Sequence, residues 1–570
     1  MDIETEYRRW LKYATMLPVE NLTALRDDDA ALNDAFYRNL VFGTGGLRGI
    51  IGVGPNRMNV YTVAKATQGL ADYLNTRYRQ PSVSIARDSR LQGDEFCRTA
   101  ACVLAANGIT TFLYPRIEPT PALSFAVRDL DCSAGICITA SHNPAEYSGY
   151  KVYGADGCQI TTDTANSIQE AIDAVDIFDG VKRLSFDAAV KGNLVNWIGD
   201  DTIERYIEGC LESSLSDAIS TLKVVFTPLH GTGLECISKV LTRIGIDDVV
   251  VEPLQAIPDG DFPTCPYPNP ETSGALERGM ALAAKANADL LLASDPDADR
   301  VGVAVLKNGK PTLLTGNEVG ILLLDYICEM RAARNEDLRD AVVCTTIVSS
   351  AMADALCADR GFELRRTLTG FKFIGEQIGI LEAEGQADRF VFGFEESCGY
   401  LAGTQVRDKD AIVASMLICE MARWHRSRGM SLIDVMESLY DRYGYFRNRL
   451  ISISYPGADG ADKMNQIMNE LRTGAPSEIA ELQVNSIVDY ATGIAMPIVG
   501  GHGNAAAQQL PPAEVLELRL SGGNKLFVRP SGTEPKIKAY LFARGSSSVD
   551  ADNLLNRMST AARELLSGHS

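Results

Sequence analysis

No stretch of this chain sustains the ~18 consecutive apolar residues that a membrane-spanning helix needs, so no span is expected. Residues Met1 to Leu17 carry Asp2, Glu4, Glu6, Arg8 and Arg9, with no apolar core and no small-residue cleavage site, and a secretory leader is not expected either. An excess of positive charge is also missing. The formal net charge of -20 argues against nucleic acid as a partner and confines any phosphate site to a local basic pocket. The thirteen cysteines, from Cys97 to Cys419, include no C-x-x-C pair, which leaves neither a zinc nor a disulfide framework and reads as buried, reduced thiols of a cytoplasmic protein.

What is present is a chain of 570 residues with ordinary apolar and charged fractions and 49 glycines. A single core stops growing near ~250 to 300 residues, so three to five domains are expected. Apolar strand-like runs alternate with helical ones in a β-α-β rhythm: S-V-S-I-A (82 to 86), I-T-T-F-L-Y-P and the run into Ser141, then L-K-V-V-F-T-P, D-V-V-V-E-P and D-L-L-L-A-S, then A-V-V-C-T-T-I-V-S-S, F-E-L-R-R-T and R-F-V-F-G-F-E-E. Near residue 447 the texture changes to shorter strands around L-E-L-R-L and K-L-F-V-R-P. The expected fold class is α/β, with three αβα sandwich domains at 1–205, 206–317 and 318–446 and a smaller α+β domain at 447–570. Ser141, Asp295 and Glu395 each follow an apolar strand, one per cycle, which suggests three domains facing a common cleft.

Five segments carry chemistry. In A-S-D-P-D-A-D-R, Asp295, Asp297 and Asp299 stand at alternate positions, a spacing that can converge three hard oxygen ligands suited to Mg²⁺. An EF-hand would need Gly where Arg300 stands and Glu where Leu306 stands, whereas a phosphatase with a nucleophilic aspartate after a strand remains compatible, as does a solvated acidic turn. F-V-R-P-S-G-T-E-P-K-I-K-A-Y supplies Arg529, the hydroxyls of Ser531 and Thr533, a turn at Gly532 and the cations Lys536 and Lys538. These are the parts of a phosphate cradle, although Pro-Ser-Gly is also ordinary turn chemistry. F-G-F-E-E-S-C-G-Y offers Glu395 and Ser397 for sugar hydroxyls, while Q-V-R-D-K-D-A places Arg407 and Lys409 before a helix, where a capped, charged helix start explains them equally well.

The fifth is T-A-S-H-N-P-A-E-Y-S-G-Y-K, with a serine beside a histidine at a strand end. The flanks Thr139 and Asn143 are not those of a G-x-S-x-G elbow, which disfavours a serine hydrolase. G-T-G-G-L-R-G (43 to 49) lacks the G-K-[ST] of a P-loop, so nucleotide binding has little support. His230, in T-P-L-H-G-T-G, reads by default as a satisfied structural histidine. Beside a triple-aspartate loop and a phosphate cradle, Ser141 makes better sense as a carrier of a phosphoryl group.

Taken together and in order, T-A-S-H-N-P, D-P-D-A-D-R, F-E-E-S-C-G and R-P-S-G-T-E-P resemble the α-D-phosphohexomutase superfamily, the phosphoglucomutase and phosphomannomutase enzymes. The matching segments span residues 43 to 540, and F-G-T-G-G-L-R-G, T-G-F-K-F-I-G and F-G-F-E-E-S-C-G-Y look most like the branch of longer phosphoglucomutases, phosphopentomutases and glucose-1,6-bisphosphate synthases. The resemblance implies four domains around a central cleft. It also implies that Ser141 is the phosphoserine and that Asp295, Asp297 and Asp299 bind one Mg²⁺ together with its phosphate. Glu395 and Ser397 would hold sugar hydroxyls, and Arg529, Ser531, Gly532 and Thr533 the non-reacting phosphate. Lys409 would be the general acid/base, Arg48 and Lys151 cations near the reacting phosphate, Arg300 a substrate-binding cation, His142 a neighbour that orients the phosphate, and Lys372 part of a substrate-facing loop. Cys398 departs from the glycine or phenylalanine of many relatives.

The activity so implied is interconversion of glucose 1-phosphate and glucose 6-phosphate, with glucose 1,6-bisphosphate as intermediate and activator. The alternatives are a phosphopentomutase, a phosphomannomutase, a glucose-1,6-bisphosphate synthase or, in a different class, a non-catalytic sugar-phosphate sensor. The expected partners are small-molecule sugar phosphates, with neither nucleic acid nor membrane, and the expected state is a monomer or homodimer.

Overall fold

Strand-forming and amphipathic helical runs assemble, in a computed structural model that describes residues 2–43, 45–216, 220–307, 309–336, 338–455, 460–498, 505–506, 510–531 and 536–567, into two units. One comprises Met1–Arg331 with Phe371–Ser431, the other Ala332–Gly370 with Leu432–Ser570.

The first unit contains a six-stranded sheet of β1 (Gly46–Ile50), β2 (Ser82–Arg87), β3 (Thr110–Leu113), β4 (Ala134–Ile138), β5 (Tyr147–Gly154) and β6 (Val195–Trp197), in the order β1-β5-β4-β2-β3-β6. β2 runs parallel to β3 and β4, and β3 to β6, whereas β5 is antiparallel to both β4 and β1. β4 reads A-G-I-C-I and is buried along its whole length, as a central strand covered on both faces requires. Among the helices that flank this sheet, Val60–Arg77 starts at a capping box. The Asn59 side chain accepts from the Thr62 amide, and the Thr62 hydroxyl accepts from the Asn59 amide. The fully buried Trp10 meets Phe36, Tyr61 and Phe178 edge-on and ties the N-terminal helices to this domain.

A second sheet in the same unit is built from β7 (Val224–Thr227), β8 (Val249–Val251), β9 (Leu290–Ser294), β10 (Val301–Lys307) and β11 (Lys310–Leu314), in the order β11-β10-β9-β7-β8. β7 is parallel to β8 and β9, and β10 returns antiparallel on β9 with Val301 opposite Ser294. The aspartate-rich segment is therefore the tight connection of a hairpin. A third strand pair, Phe390–Glu395 with Gly399–Leu401, is also a hairpin, with Glu395 opposite Gly399. It leads into the helix Ala411–Arg426, which is buried almost throughout.

The second unit carries an antiparallel sheet in which Tyr445–Ser454, Lys536–Gly545, Lys525–Pro530, Leu516–Leu520, Leu482–Asp489 and Ile494–Pro497 follow one another in space. The helices Gly460–Gly474 and Ser548–Ser567 pack their apolar stripes on it, with Met468, Leu471, Leu555 and Met558 in the shared core. The same unit holds the parallel pair Val342–Thr346 and Glu363–Thr367.

Among the described residues no helix is long and apolar enough to cross a membrane. No two cysteines are joined in a disulfide, and all but Cys102 are buried.

Candidate active site

β4 delivers the serine. Beyond Ile138 the chain stays buried through Thr139 and Ala140, and Ser141 itself is only 3% exposed. Its backbone takes a left-handed conformation, φ 51°, which costs a non-glycine residue about 1–2 kcal/mol and persists only where the surroundings dictate it. The Ser141 amide donates to Thr139 Oγ1 at 2.8 Å, and the Ser141 hydroxyl donates to Asp295 Oδ2 at 2.8 Å, with His142 Nδ1 3.3 Å away on its other side. The returning strand β5 passes close underneath. A Cβ on Gly149 would lie 2.4 Å from the Thr139 carbonyl oxygen, so only glycine lets the two arms of the loop approach this far. Gly149→Ala is expected to lower the free energy of unfolding by about 1–3 kcal/mol, read from the denaturant midpoint at unchanged slope.

The turn between β9 and β10 folds its own carboxylates inward. Asp295 Oδ1 accepts from the Asp299 amide at 3.1 Å and the Arg300 amide at 3.0 Å, and Ala298 adopts φ 50° to close the turn. All three aspartates are buried, and one oxygen of each lies within 4.8 Å of the others. Burial, then the charges of Asp297 and Asp299, push the Asp295 carboxyl well above its ordinary range. Asp297 is held well below that range. Burial pushes it up, but Lys151, whose Nζ is 2.7 Å from Asp297 Oδ2, outweighs the penalty. Lys151 also reaches Asp299 Oδ2 at 3.4 Å, and the two carboxylates overcome its own burial to hold its ammonium more basic than usual. Arg300 turns outward to Glu271 at 2.7 Å and passes Asp299 Oδ1 at 3.7 Å.

Lys409 comes from a different element. It lies just before the helix Ala411–Arg426, where Asp410 caps by accepting from the Ile412 and Val413 amides and is itself held by the Tyr206 hydroxyl at 2.9 Å. Lys409 Nζ stands 3.0 Å from Asp299 Oδ2 and 3.1 Å from Asp408 Oδ1. Burial disfavours the charge, but Asp299, Asp408 and Glu395 raise the ammonium pKa above its usual range. The stem of Lys409 lies against Gly399, where a Cβ would come within 2.2 Å of Lys409 Cδ. Cys398 takes φ 59° in the turn ahead of it, and its carbonyl accepts from the Val301 amide at 3.0 Å, joining the Glu395 hairpin to the aspartate turn. The departure at Cys398 thus leaves the hairpin closed. Its thiol is buried and made harder to ionise by that burial.

Ser141, His142, Lys151, Asp295, Asp297, Asp299, Arg300 and Lys409 are therefore linked by direct contacts, and Glu395, buried, is among the charges acting on Lys409. Arg48, on β1, joins through Asn143 Oδ1 at 3.3 Å. Ser397 is partly buried at the tip of the hairpin, and Lys372 opens the helix Lys372–Ala383 with Nζ 5.2 Å from the Phe373 ring centroid. Arg529 and Ser531 belong to the second unit, at the end of the strand Lys525–Pro530, where the Ser531 amide donates to the Lys536 carbonyl at 2.7 Å. Gly532 and Thr533 lie outside the described residues. His230 has both ring nitrogens engaged, by the Ile257 carbonyl at 2.9 Å and Thr264 Oγ1 at 2.8 Å, a structural histidine.

The aspartate turn fits a hard divalent cation. Asp297 Oδ1 and Asp299 Oδ1 are buried without a hydrogen-bond partner, the carboxylates converge, and the donor set is all oxygen. Several supporting residues do not stand out in the sequence. Thr120, first residue of the helix Thr120–Asp129, donates its hydroxyl to Asp297 Oδ2 at 2.9 Å and its amide to the Asp297 carbonyl at 2.8 Å. Asp88 and Arg90 follow β2 and hold the serine loop. The same rule that singles out Ser141 and Asp295, charged or polar residues directly after an apolar strand, finds I-A-R-D-S-R when it is applied to β2.

Comparison with known proteins bears on this arrangement. Family models described as phosphoglucomutase/phosphomannomutase alpha/beta/alpha domains I, II and III match residues 39–177, 204–309 and 315–443. A curated phosphoglucomutase of Staphylococcus aureus is 36% identical over 532 residues, covering 92% of this chain and 93% of the relative. One of Staphylococcus saprophyticus is 35% identical over 523 residues, covering 92% of each. Among solved structures, a phosphoglucomutase/phosphomannomutase family protein of Burkholderia thailandensis shares the fold at a TM-score of 0.65 and 18% identity, covering 93% of this chain and 98% of that one. The open form of the Paramecium phosphoprotein parafusin, a phosphoglucomutase, shares it at 0.66 and 16% identity, covering 93% and 95%.

Proposed function

The chain belongs to the phosphoglucomutase and phosphomannomutase family of the α-D-phosphohexomutase superfamily, an enzyme family with three αβα domains and a C-terminal domain, and we propose that it interconverts glucose 1-phosphate and glucose 6-phosphate in the cytoplasm through a phosphoserine at Ser141. The observation that carries the proposal is the 2.8 Å contact between Ser141 Oγ and Asp295 Oδ2, which seats the candidate phosphoryl carrier against the cation-binding turn. We propose the domain boundaries 1–205, 206–317, 318–446 and 447–570 for the four parts.

In the forward direction a hydroxyl of the sugar monophosphate attacks the phosphorus on Ser141. The new P–O bond forms to the sugar, the bond to Ser141 Oγ breaks, and the proton lost by the sugar hydroxyl is balanced by the one that Ser141 Oγ takes up. The resulting glucose 1,6-bisphosphate turns over, and its other phosphoryl group returns to Ser141 Oγ. Phosphoryl transfer is mostly positioning and charge stabilisation. Asp295, Asp297 and Asp299 would hold one Mg²⁺, which when bound supplies positive charge to the oxygens of the transferring group. Lys151 and Arg48 bring fixed positive charge from β5 and β1, and His142, next to the carrier, orients it. Lys409, held protonated by its carboxylate neighbours, is suited to deliver a proton to a leaving oxygen and to take it back on the return. Glu395 and Ser397 would grip the sugar hydroxyls, Lys372 and Arg300 would face the substrate, and Arg529, Ser531, Gly532 and Thr533 would bind the phosphate that does not react.

The purified protein assayed with Mg²⁺ and catalytic glucose 1,6-bisphosphate is expected to turn over glucose 1-phosphate faster than mannose 1-phosphate or ribose 1-phosphate. Preference for either competitor would replace glucose as the substrate, and activity only with 1,3-bisphosphoglycerate as donor would make it a bisphosphate synthase. Binding of sugar phosphates with no turnover in any arm would leave a sensor.

A further inference from the structure

We propose that Arg90 is a positioning residue for phosphoryl transfer, a buried clamp that sets the backbone of the Ser141 loop and its register against the aspartate turn. The inference rests on the phosphoserine reading of Ser141 and adds to it a residue that touches neither sugar nor metal.

Arg90 lies beyond the end of β2 with its side chain fully buried. One terminal nitrogen donates to the carbonyls of Pro144 at 2.8 Å and Tyr147 at 2.9 Å, and the other to the carbonyls of Ser141, at 2.6 Å, and Asn143. A single planar fork thus gathers the loop from the serine to the start of β5. Asp88 completes the clamp. Its Oδ1 accepts from the Arg90 amide at 2.9 Å, and its Oδ2 lies 3.3 Å from Arg90 Nε and accepts from the Thr139 hydroxyl at 2.6 Å. Thr139 Oγ1 in turn accepts from the Ser141 amide. The peptide groups on both sides of Ser141 are therefore tied to one ion pair, the amide side through Thr139 and the carbonyl side through Arg90, and this accounts for a serine kept at φ 51°.

The clamp also has a footing on the second sheet's domain. The guanidinium carbon stands 5.0 Å from the ring centroid of Phe262, which is fully buried in the segment after β8, and Tyr267 of that segment meets His142 edge-on at 5.9 Å. Holding the Ser141 loop and leaning on this segment at once, Arg90 fixes where Ser141 Oγ falls relative to Asp295. A lysine would keep the charge, but its single ammonium cannot span four carbonyls in the geometry of a fork.

The test is steady-state kinetics of Arg90→Lys, Arg90→Gly and Thr139→Val with glucose 1-phosphate, alongside thermal unfolding. For Arg90→Lys we expect kcat to fall about 100-fold with KM changed by no more than about 3-fold, the pattern of a misplaced reacting atom in an otherwise intact binding site. For Arg90→Gly, added guanidinium or methylguanidinium should restore part of kcat where equal urea or sodium chloride does not. If neither Arg90 variant folds, Thr139→Val decides, with the same loss of kcat at constant KM expected. Near-wild-type kcat in the folded variants, or a loss confined to KM, would overturn the clamp. Wild-type protein that never carries phosphate on Ser141 would instead overturn the phosphoserine reading on which the clamp depends.

Discussion

Ser141→Ala is expected to remove at least about 10⁴-fold of mutase turnover, because it deletes the hydroxyl proposed to accept the phosphoryl group and hand it back, the one held against the aspartate turn. Glucose 6-phosphate should still bind within a few-fold of wild type in calorimetry, since the residues proposed to grip sugar and distal phosphate are untouched. The structural side effects are small. The hydroxyl contributes one hydrogen bond to Asp295 and a contact with His142, while the amide bond to Thr139 belongs to the backbone and survives. Mass spectrometry of the intact protein after exposure to glucose 1,6-bisphosphate provides the matching readout, a phosphate adduct on wild type and none on the variant. Turnover unchanged by the substitution would show that Ser141 is not the carrier.

Asp297→Asn should be the second most damaging single change, costing about 10³-fold or more in turnover together with the dependence on Mg²⁺. The reason is local. Asp297 Oδ2 is shared by Thr120 and Lys151, while Oδ1 is buried with no hydrogen-bond partner, an arrangement that suits a cation and not an amide nitrogen. The change is readable apart from activity. At a hundred-fold excess over its dissociation constant, Mg²⁺ binding to the folded protein adds about 2.7 kcal/mol to unfolding, seen as a raised thermal midpoint. In Asp297→Asn that increment should largely vanish. Wild-type turnover in excess chelator, equal to that with Mg²⁺, would remove the metal from the proposal.

Much of this is legible from residue order. The A-G-I-C-I and L-L-L-A-S runs are continuous and apolar because they form strands buried on both faces, and the chemistry-bearing residues come directly after them because loops at strand ends are where an open α/β sheet exposes backbone to a ligand. The antiparallel partners of those strands are harder to read. β5 and β10 double back through short connections whose turns depend on single left-handed residues, Ser141 and Ala298, and neither serine nor alanine announces such a turn as glycine would. The segment Ala332–Gly370 likewise reads as continuous with the residues after it in the chain, yet it groups with the C-terminal residues, because compactness depends on contacts far apart in sequence.

The sequence by itself determined the family, the succession of αβ domains and the identity of the residues that carry charge and hydroxyls, since these depend on composition, local periodicity and the ordered short motifs. Only the tertiary structure decided how those groups act on one another. Lys151 and Lys409 stand 258 positions apart, yet share Asp299. Asp295 and Asp297, two residues apart and of the same chemical type, are driven to unlike proton affinities, Asp295 up by burial and Asp297 down by Lys151 despite its own burial. Arg90 acquires a role through four carbonyls that no motif records. Burial and close approach depend on distance and dielectric surroundings, and those exist only once strands remote in the chain have been packed side by side.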